Sequence, residues 1–203
     1  MKGKAHKFIT EKVLEYFSEE FDFSENERYW IARGSTAEDS IFLPTKGAKW
    51  HFYRYNSFIK KHIGLCINPI SETRLKTLSA RIKWLLGDEN KAETLGNIIH
   101  HIQNMNTPKH VLPIYQEVGK TDSYEKYMMS RIKDMEFLST INKSITPRDW
   151  FDIYDSSAQL NCSKVNRKAT HREIDAVYED FTKQTAQTTY EALKYFVIKF
   201  KNQ

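Results

Sequence analysis

The sequence predicts an all-α fold, one multi-helix domain spanning residues 1–203. Three observations carry that prediction. Glycine and proline are scarce, at 7 and 5 residues, which is about 3% and 2% against usual values near 7% and 5%. So few turn formers cannot punctuate a β-sandwich, a propeller or a glycine-rich dinucleotide site. Apolar residues recur at helical rather than alternating spacing in segment after segment. The composition, 40% hydrophobic and 28% charged, suits a chain of this length that hides roughly 70% of the surface its unfolded form exposes.

Phe8, Ile9, Val13, Leu14, Phe17 and Phe21 fall at helical spacing and predict an amphipathic helix from about Ala5 to Phe21. A short helix over Glu25 to Ala32 follows. From Gly34 to Asn68 the periodicity breaks, with Pro44, Gly47, Gly64 and Pro69 in or beside a polar, aromatic stretch. This reads as a long loop lining a site, because loops of that length are uncommon in compact domains unless functional. Ser71 to Leu86 is helical, with Leu75, Leu78, Ile82 and Leu85 on one face, and Gly87 ends it. Ala92 to Asn104 is the most apolar helix, stopped by Pro108. Ser123 to Ile141, Pro147 to Leu160 and Ala169 to Phe200 complete the helical set. No repeat, low-complexity tract or interdomain linker interrupts it.

Several function classes fall away on composition. Two cysteines, Cys66 and Cys162, are too few for a disulfide scaffold, a zinc ribbon or an iron–sulfur site, each of which needs more thiolates. No run of about 18 apolar residues exists to span a membrane, and MKGKAHKFITEK holds no apolar stretch of signal-peptide length. As read, the chain is expected to be cytoplasmic, or the mature part of a larger secreted protein. The net charge of +5 favours an anionic partner without demanding one; a solvated mixed-charge surface is the simpler account.

The seven histidines are more telling, because they are unevenly spread. In LGNIIHHIQNMNTPKH, His100 and Asn104 are four residues apart, so on a helix they share a face and can meet one ion. Pro108 then lets the chain turn His110 back toward that face. Imidazole and oxygen donors suit zinc and other transition metals. Hydrogen-bonded core histidines are the structural alternative. His6 lies on the side of the first helix that carries Ile9 and Val13, so a buried imidazole there must be hydrogen-bonded or ligated. Asp39, in GSTAED, and His51, in KWHFYR, fall in the expected loop.

As an ordered set, AHKFIT around His6, ARGSTAED ending at Asp39, WHFY around His51 and LGNIIHHIQNMNTPKHV resemble the bacterial zinc-dependent phospholipase C family. That family shares its all-helical fold with the single-strand-specific zinc nucleases of fungi and plants. The resemblance runs from the N-terminus to about residue 130; beyond it the chain matches only in being helical. It implies a cleft holding up to three zinc ions. Asp39, His51, His100 and Asn104 would hold one, His6 with the α-amine and carbonyl of Met1 a second, and His110 would begin the third. Two departures stand out. Asn104 replaces a bridging aspartate, and a neutral amide offers one good oxygen where a carboxylate shares two. After His110, Glu125 matches the family's acidic ligand, but Thr121 stands where a histidine is expected, leaving Asp122 as a substitute. Asp122 to Glu125 also has the form of a helix capping box. His171 and Asp175, four apart on the last helix, are a rival pair beside another capping box, Thr170 to Glu173.

The resemblance implies a phospholipase C-like phosphodiesterase, with Asp39 as general base. Phe52 and Tyr53, among the loop aromatics, line a lipid headgroup pocket, stack a base or simply pack. The partner expected is a phosphodiester, with a phospholipid headgroup favoured, nucleic acid second, and peripheral rather than spanning contact with a membrane. Two alternatives remain: a nuclease or nucleotidase of the same fold, and a metal-binding or interaction protein that has lost catalysis, favoured by Asn104 and Thr121.

Overall fold

The computed structural model describes residues 3–40, 53–56, 61–64, 82–106, 136–146, 148, 152–153, 156 and 171–202. These are mostly helical, as the periodicity predicts. The first helix, α1, runs Gly3–Tyr16 and buries Ala5, His6, Ile9, Val13 and Leu14, the stripe its spacing marks out. The expected single helix to Phe21 is instead broken at Phe17. A four-residue α2, Ser18–Phe21, follows and is closed by Asp22 in the left-handed conformation at φ 48°. Lys201, from the far end of the chain, donates to the carbonyls of Phe21 and Asp22 and so ties down that exposed helix end.

The helix α3, Glu25–Ser40, starts on a capping box: the Glu27 backbone N–H donates to Ser24 Oγ at 3.2 Å, and the Ser24 N–H to Glu27 Oε2 at 2.9 Å. It runs eight residues past the expected end, through Gly34 to Ser40, which corrects the reading of that segment as the start of a loop. The expected loop also contains an antiparallel pair, β1 Tyr53–Asn56 with β2 Lys61–Gly64, in register Tyr53 to Gly64 and Asn56 to Lys61. YRYN alternates aromatic and polar residues at the strand period of two, a signal masked by the surrounding glycines and prolines. Residues 82–85 are helical and end at Gly87, φ +66°. There the Asp88 N–H reaches back to the Lys83 carbonyl at 2.9 Å and the Gly87 N–H to that of Trp84 at 3.2 Å.

The central helix α4, Lys91–Met105, is buried along most of its length. It packs most extensively on α3, because the two meet at glycines. A Cβ on Gly96 would lie 2.1 Å from the Ile31 carbonyl oxygen and 2.8 Å from Gly34 Cα; one on Gly34 would lie 2.1 Å from the Glu93 carbonyl oxygen. Backbone therefore rests on backbone at this crossing. After the short α5, Glu136–Ser139, the chain reaches α6, His171–Phe196, which continues into a π-helical turn, Val197–Lys201. Arg148 fastens the preceding segment to α6, donating to Glu191 Oε2 at 2.8 and 3.1 Å and to Ser156 Oγ at 2.9 Å. Phe17, Phe21, Phe23, Trp84, Tyr190 and Phe196 form an aromatic core at one end, with Tyr190 centred 4.6 Å from Phe17 and 5.6 Å from Phe21. No helix among the described residues is long and apolar enough to cross a membrane.

Candidate metal centre

The α3–α4 crossing sets the position of His100. With no side chain between the helices, the Ser35 carbonyl of α3 comes within 2.9 Å of His100 Nδ1. An oxygen accepts, so Nδ1 carries the proton, and in the neutral imidazole the lone pair lies on Nε2. That nitrogen faces the Asn104 amide, whose Nδ2 donates to it at 3.0 Å. The shared face expected from four-residue spacing is thus present. Asn104 is fully buried, and its Oδ1 has no hydrogen-bond partner among the described residues.

His6 arrives from α1. It is fully buried beside Ile9 and Val13, as its spacing requires, and its ring centre lies 4.1 Å from that of His100, with the planes at 37°. Nδ1 of His6 meets Gln103 Oε1 at 2.7 Å. His101, next in α4, is also buried, its ring edge-on to His100 at 5.6 Å.

Three of the expected ligands, His6, His100 and Asn104, are therefore brought together, although more than ninety residues separate the first from the others in sequence. Asp39 lies in the last turn of α3, one turn beyond Ser35, with its side chain outside the described residues. Tyr53 opens β1, and its side chain is likewise outside them. Met1, His51, Phe52, His110, Asp122 and Glu125 fall outside the described residues altogether. The rival pair His171 and Asp175 lies in the first turns of α6, with side chains not described. Among the described residues no group of three or more His, Cys, Asp or Glu side chains forms a metal-holding cluster.

The donors present nevertheless fit a transition metal. Each histidine has its Nδ1–H anchored on an oxygen, the usual outer support of a metal-bound imidazole, and an amide oxygen stands buried without a proton donor beside them. The 3.0 Å between His100 Nε2 and the Asn104 amide is a hydrogen bond as it stands. Sequence reasoning missed the residues that set this geometry: Gln103, Ser35, Gly34 and Gly96. Gln103 and Gly96 left a signal, an amide and a lone glycine within an apolar helix, which need a bonding or packing reason; Gly34, in a polar segment, and Ser35, which acts through its backbone carbonyl, left none.

The class defined so far is a mostly helical domain with a histidine pair at its centre. A similar fold occurs in alpha-toxin from Clostridium perfringens, avian strain SWCP: the TM-score is 0.62 at 15% identity, covering 98% of this chain. This chain spans 63% of the length of that one. At such identity the likeness shows a shared fold. No family model and no curated protein sequence matches the chain.

Proposed function

We propose that the protein is a zinc-dependent phosphodiesterase of the phospholipase C type, built as a single domain. The observation that carries this reading is the pair His6 and His100, buried with ring centres 4.1 Å apart and each held with Nδ1 as donor. His6, His100 and Asn104 would hold metal, joined by Met1, Asp39, His51, His110, Asp122 and Glu125 as the resemblance implies. When bound, divalent zinc acts as a Lewis acid that lowers the pKa of water and neutralises phosphate charge. The protein's own part begins with the tautomers: both neutral imidazoles carry the lone pair on Nε2, so no proton has to leave, and that of His100 would be presented once the Asn104 amide turns its Nδ2 away. Asn104 adds an oxygen but no charge, so it holds a cation less strongly than a carboxylate would. Asp39 serves as general base, taking a proton from the attacking water as it approaches phosphorus. Phe52 and Tyr53 are the residues proposed to contact the headgroup.

A lipid substrate is favoured because Leu85 and Leu86 are 62% and 78% exposed, next to Gly87, offering apolar surface to a lipid interface. The test is hydrolysis of bis(p-nitrophenyl) phosphate and of phosphatidylcholine vesicles by zinc-loaded protein. Activity on both that chelator abolishes and zinc restores is expected; none on either substrate, at full zinc occupancy, overturns the reading.

A further inference from the structure

Gln103 is fully buried in α4 and bonds to three groups on two other helices. Its Nε2 donates to Thr10 Oγ1 of α1 at 2.9 Å and to Thr189 Oγ1 of α6 at 3.1 Å. Each of those hydroxyls has already committed its single proton within its own helix: Thr10 to the His6 carbonyl at 2.9 Å, Thr189 to the Thr185 carbonyl at 2.7 Å. Both can therefore only accept from Gln103. That fixes which end of the amide is nitrogen, and leaves Oε1 turned to His6 Nδ1 at 2.7 Å. Since Oε1 has no proton to give, Nδ1 must donate.

We infer that Gln103 is a positioning residue that locks the His6 ring and selects its Nδ1–H tautomer. The lone pair of neutral His6 is thereby kept on Nε2. His100 receives the same treatment from the backbone carbonyl of Ser35, which a substitution at Ser35 itself leaves in place; His6 depends on a side chain. The four members of this network, His6, Thr10, Gln103 and Thr189, are all fully buried. In such surroundings the three bonds of Gln103 specify one orientation of its amide, because a flip would set Oε1 against two hydroxyls whose protons are already committed. The network also joins α1, α4 and α6, so the bundle itself sets the ring's orientation.

The tautomer stands on hydrogen-bond accounting alone, whereas its use for metal rests on the reading of His6 as a zinc ligand. The two are separated by measuring both. Two-bond 1H–15N correlation spectra of the metal-free wild-type protein, with His6 assigned by loss of its signals in His6→Asn, should show the Nδ1–H form. Gln103→Leu removes the acceptor; the ring should shift toward Nε2–H and zinc affinity should fall about 10- to 100-fold, as is usual when the outer partner of a ligand is lost. Gln103→Glu retains an acceptor for Nδ1 and should keep that nitrogen protonated and zinc affinity within a few-fold of wild type, provided the Thr10 and Thr189 hydroxyls turn from their helix carbonyls to meet its second oxygen. An Nε2–H ring in wild type overturns the inference, as does a Gln103→Leu protein, folded by circular dichroism, whose tautomer is unchanged. Tautomers that follow this pattern while zinc affinity stays level in every variant uphold the positioning role and overturn the ligand reading instead.

Discussion

Gly96→Ala probes the contact that sets the candidate site. The added methyl would start 2.1 Å from the Ile31 carbonyl oxygen, where ordinary contact begins at 3.4 Å, so α3 must retreat by about 1.3 Å. None of the three groups it would meet, the Ile31 carbonyl oxygen, Gly34 Cα and Ser35 N, is a flexible side-chain end; all are helix backbone. Alanine gains about 1 kcal/mol in helix propensity over glycine. Against this, forcing a packed interface apart costs about 1–3 kcal/mol. Retreat also stretches the 2.9 Å bond from His100 Nδ1 to the Ser35 carbonyl beyond bonding range, leaving a buried donor unmet at about 1–3 kcal/mol. The net expectation is a loss of about 1–5 kcal/mol, read as a lower urea midpoint at unchanged slope. His100 should also lose its preference for the Nδ1–H form in nitrogen-15 spectra. A variant as stable as wild type, with His100 unaltered, would refute the backbone-on-backbone crossing as the device that places the ring.

Other changes test other parts. Asn104→Asp should raise zinc affinity, yet in chelator it should destabilise the protein by about 3 kcal/mol, because a buried carboxylate then faces the His100 lone pair; urea melts with and without zinc separate the effects. Arg148→Met leaves Glu191, 1% exposed, without its cation and should cost about 3 kcal/mol in the same assay. Burial raises the Tyr190 phenol pKa, and the hydrogen bond to Glu20 at 2.7 Å adds to it. For Glu20, burial pulls the carboxyl upward, but hydrogen bonds from Lys143 and Tyr190 outweigh it and leave the group below 4.5. A lowered carboxyl stabilises above its unfolded value and loses that as pH falls below about 4.5; a raised phenol stabilises below about 10 and loses it above. Stability against pH should therefore fall at both ends, and Tyr190→Phe should flatten the alkaline limb. Leu85→Ser with Leu86→Ser should cut turnover on vesicles severalfold and leave the soluble reporter untouched.

What the sequence made legible follows physical reach. His6 with Ile9 and Val13, and His100 with Asn104, were readable because helical spacing alone decides which side chains share a face. The α3 extension was not. Gly34 was read as a break because glycine disfavours helix locally, whereas here its missing side chain admits α4, a reason that exists only between segments. The β1–β2 pair was lost for a related reason, its four-residue strands being too short to outweigh neighbouring turn formers. Gln103 is, in sequence, one amide on an apolar helix, and its partners Thr10 and Thr189 lie on helices far away along the chain.

The most direct test of the metal centre is zinc K-edge absorption spectroscopy, with metal content measured alongside, on zinc-saturated protein. A nitrogen and oxygen shell at about 2.0–2.1 Å with imidazole scattering is expected, and both His6→Asn and His100→Asn should lower the bound zinc or alter that shell. Zinc that washes away, or zinc content and spectrum both unchanged in either variant, would contradict the account.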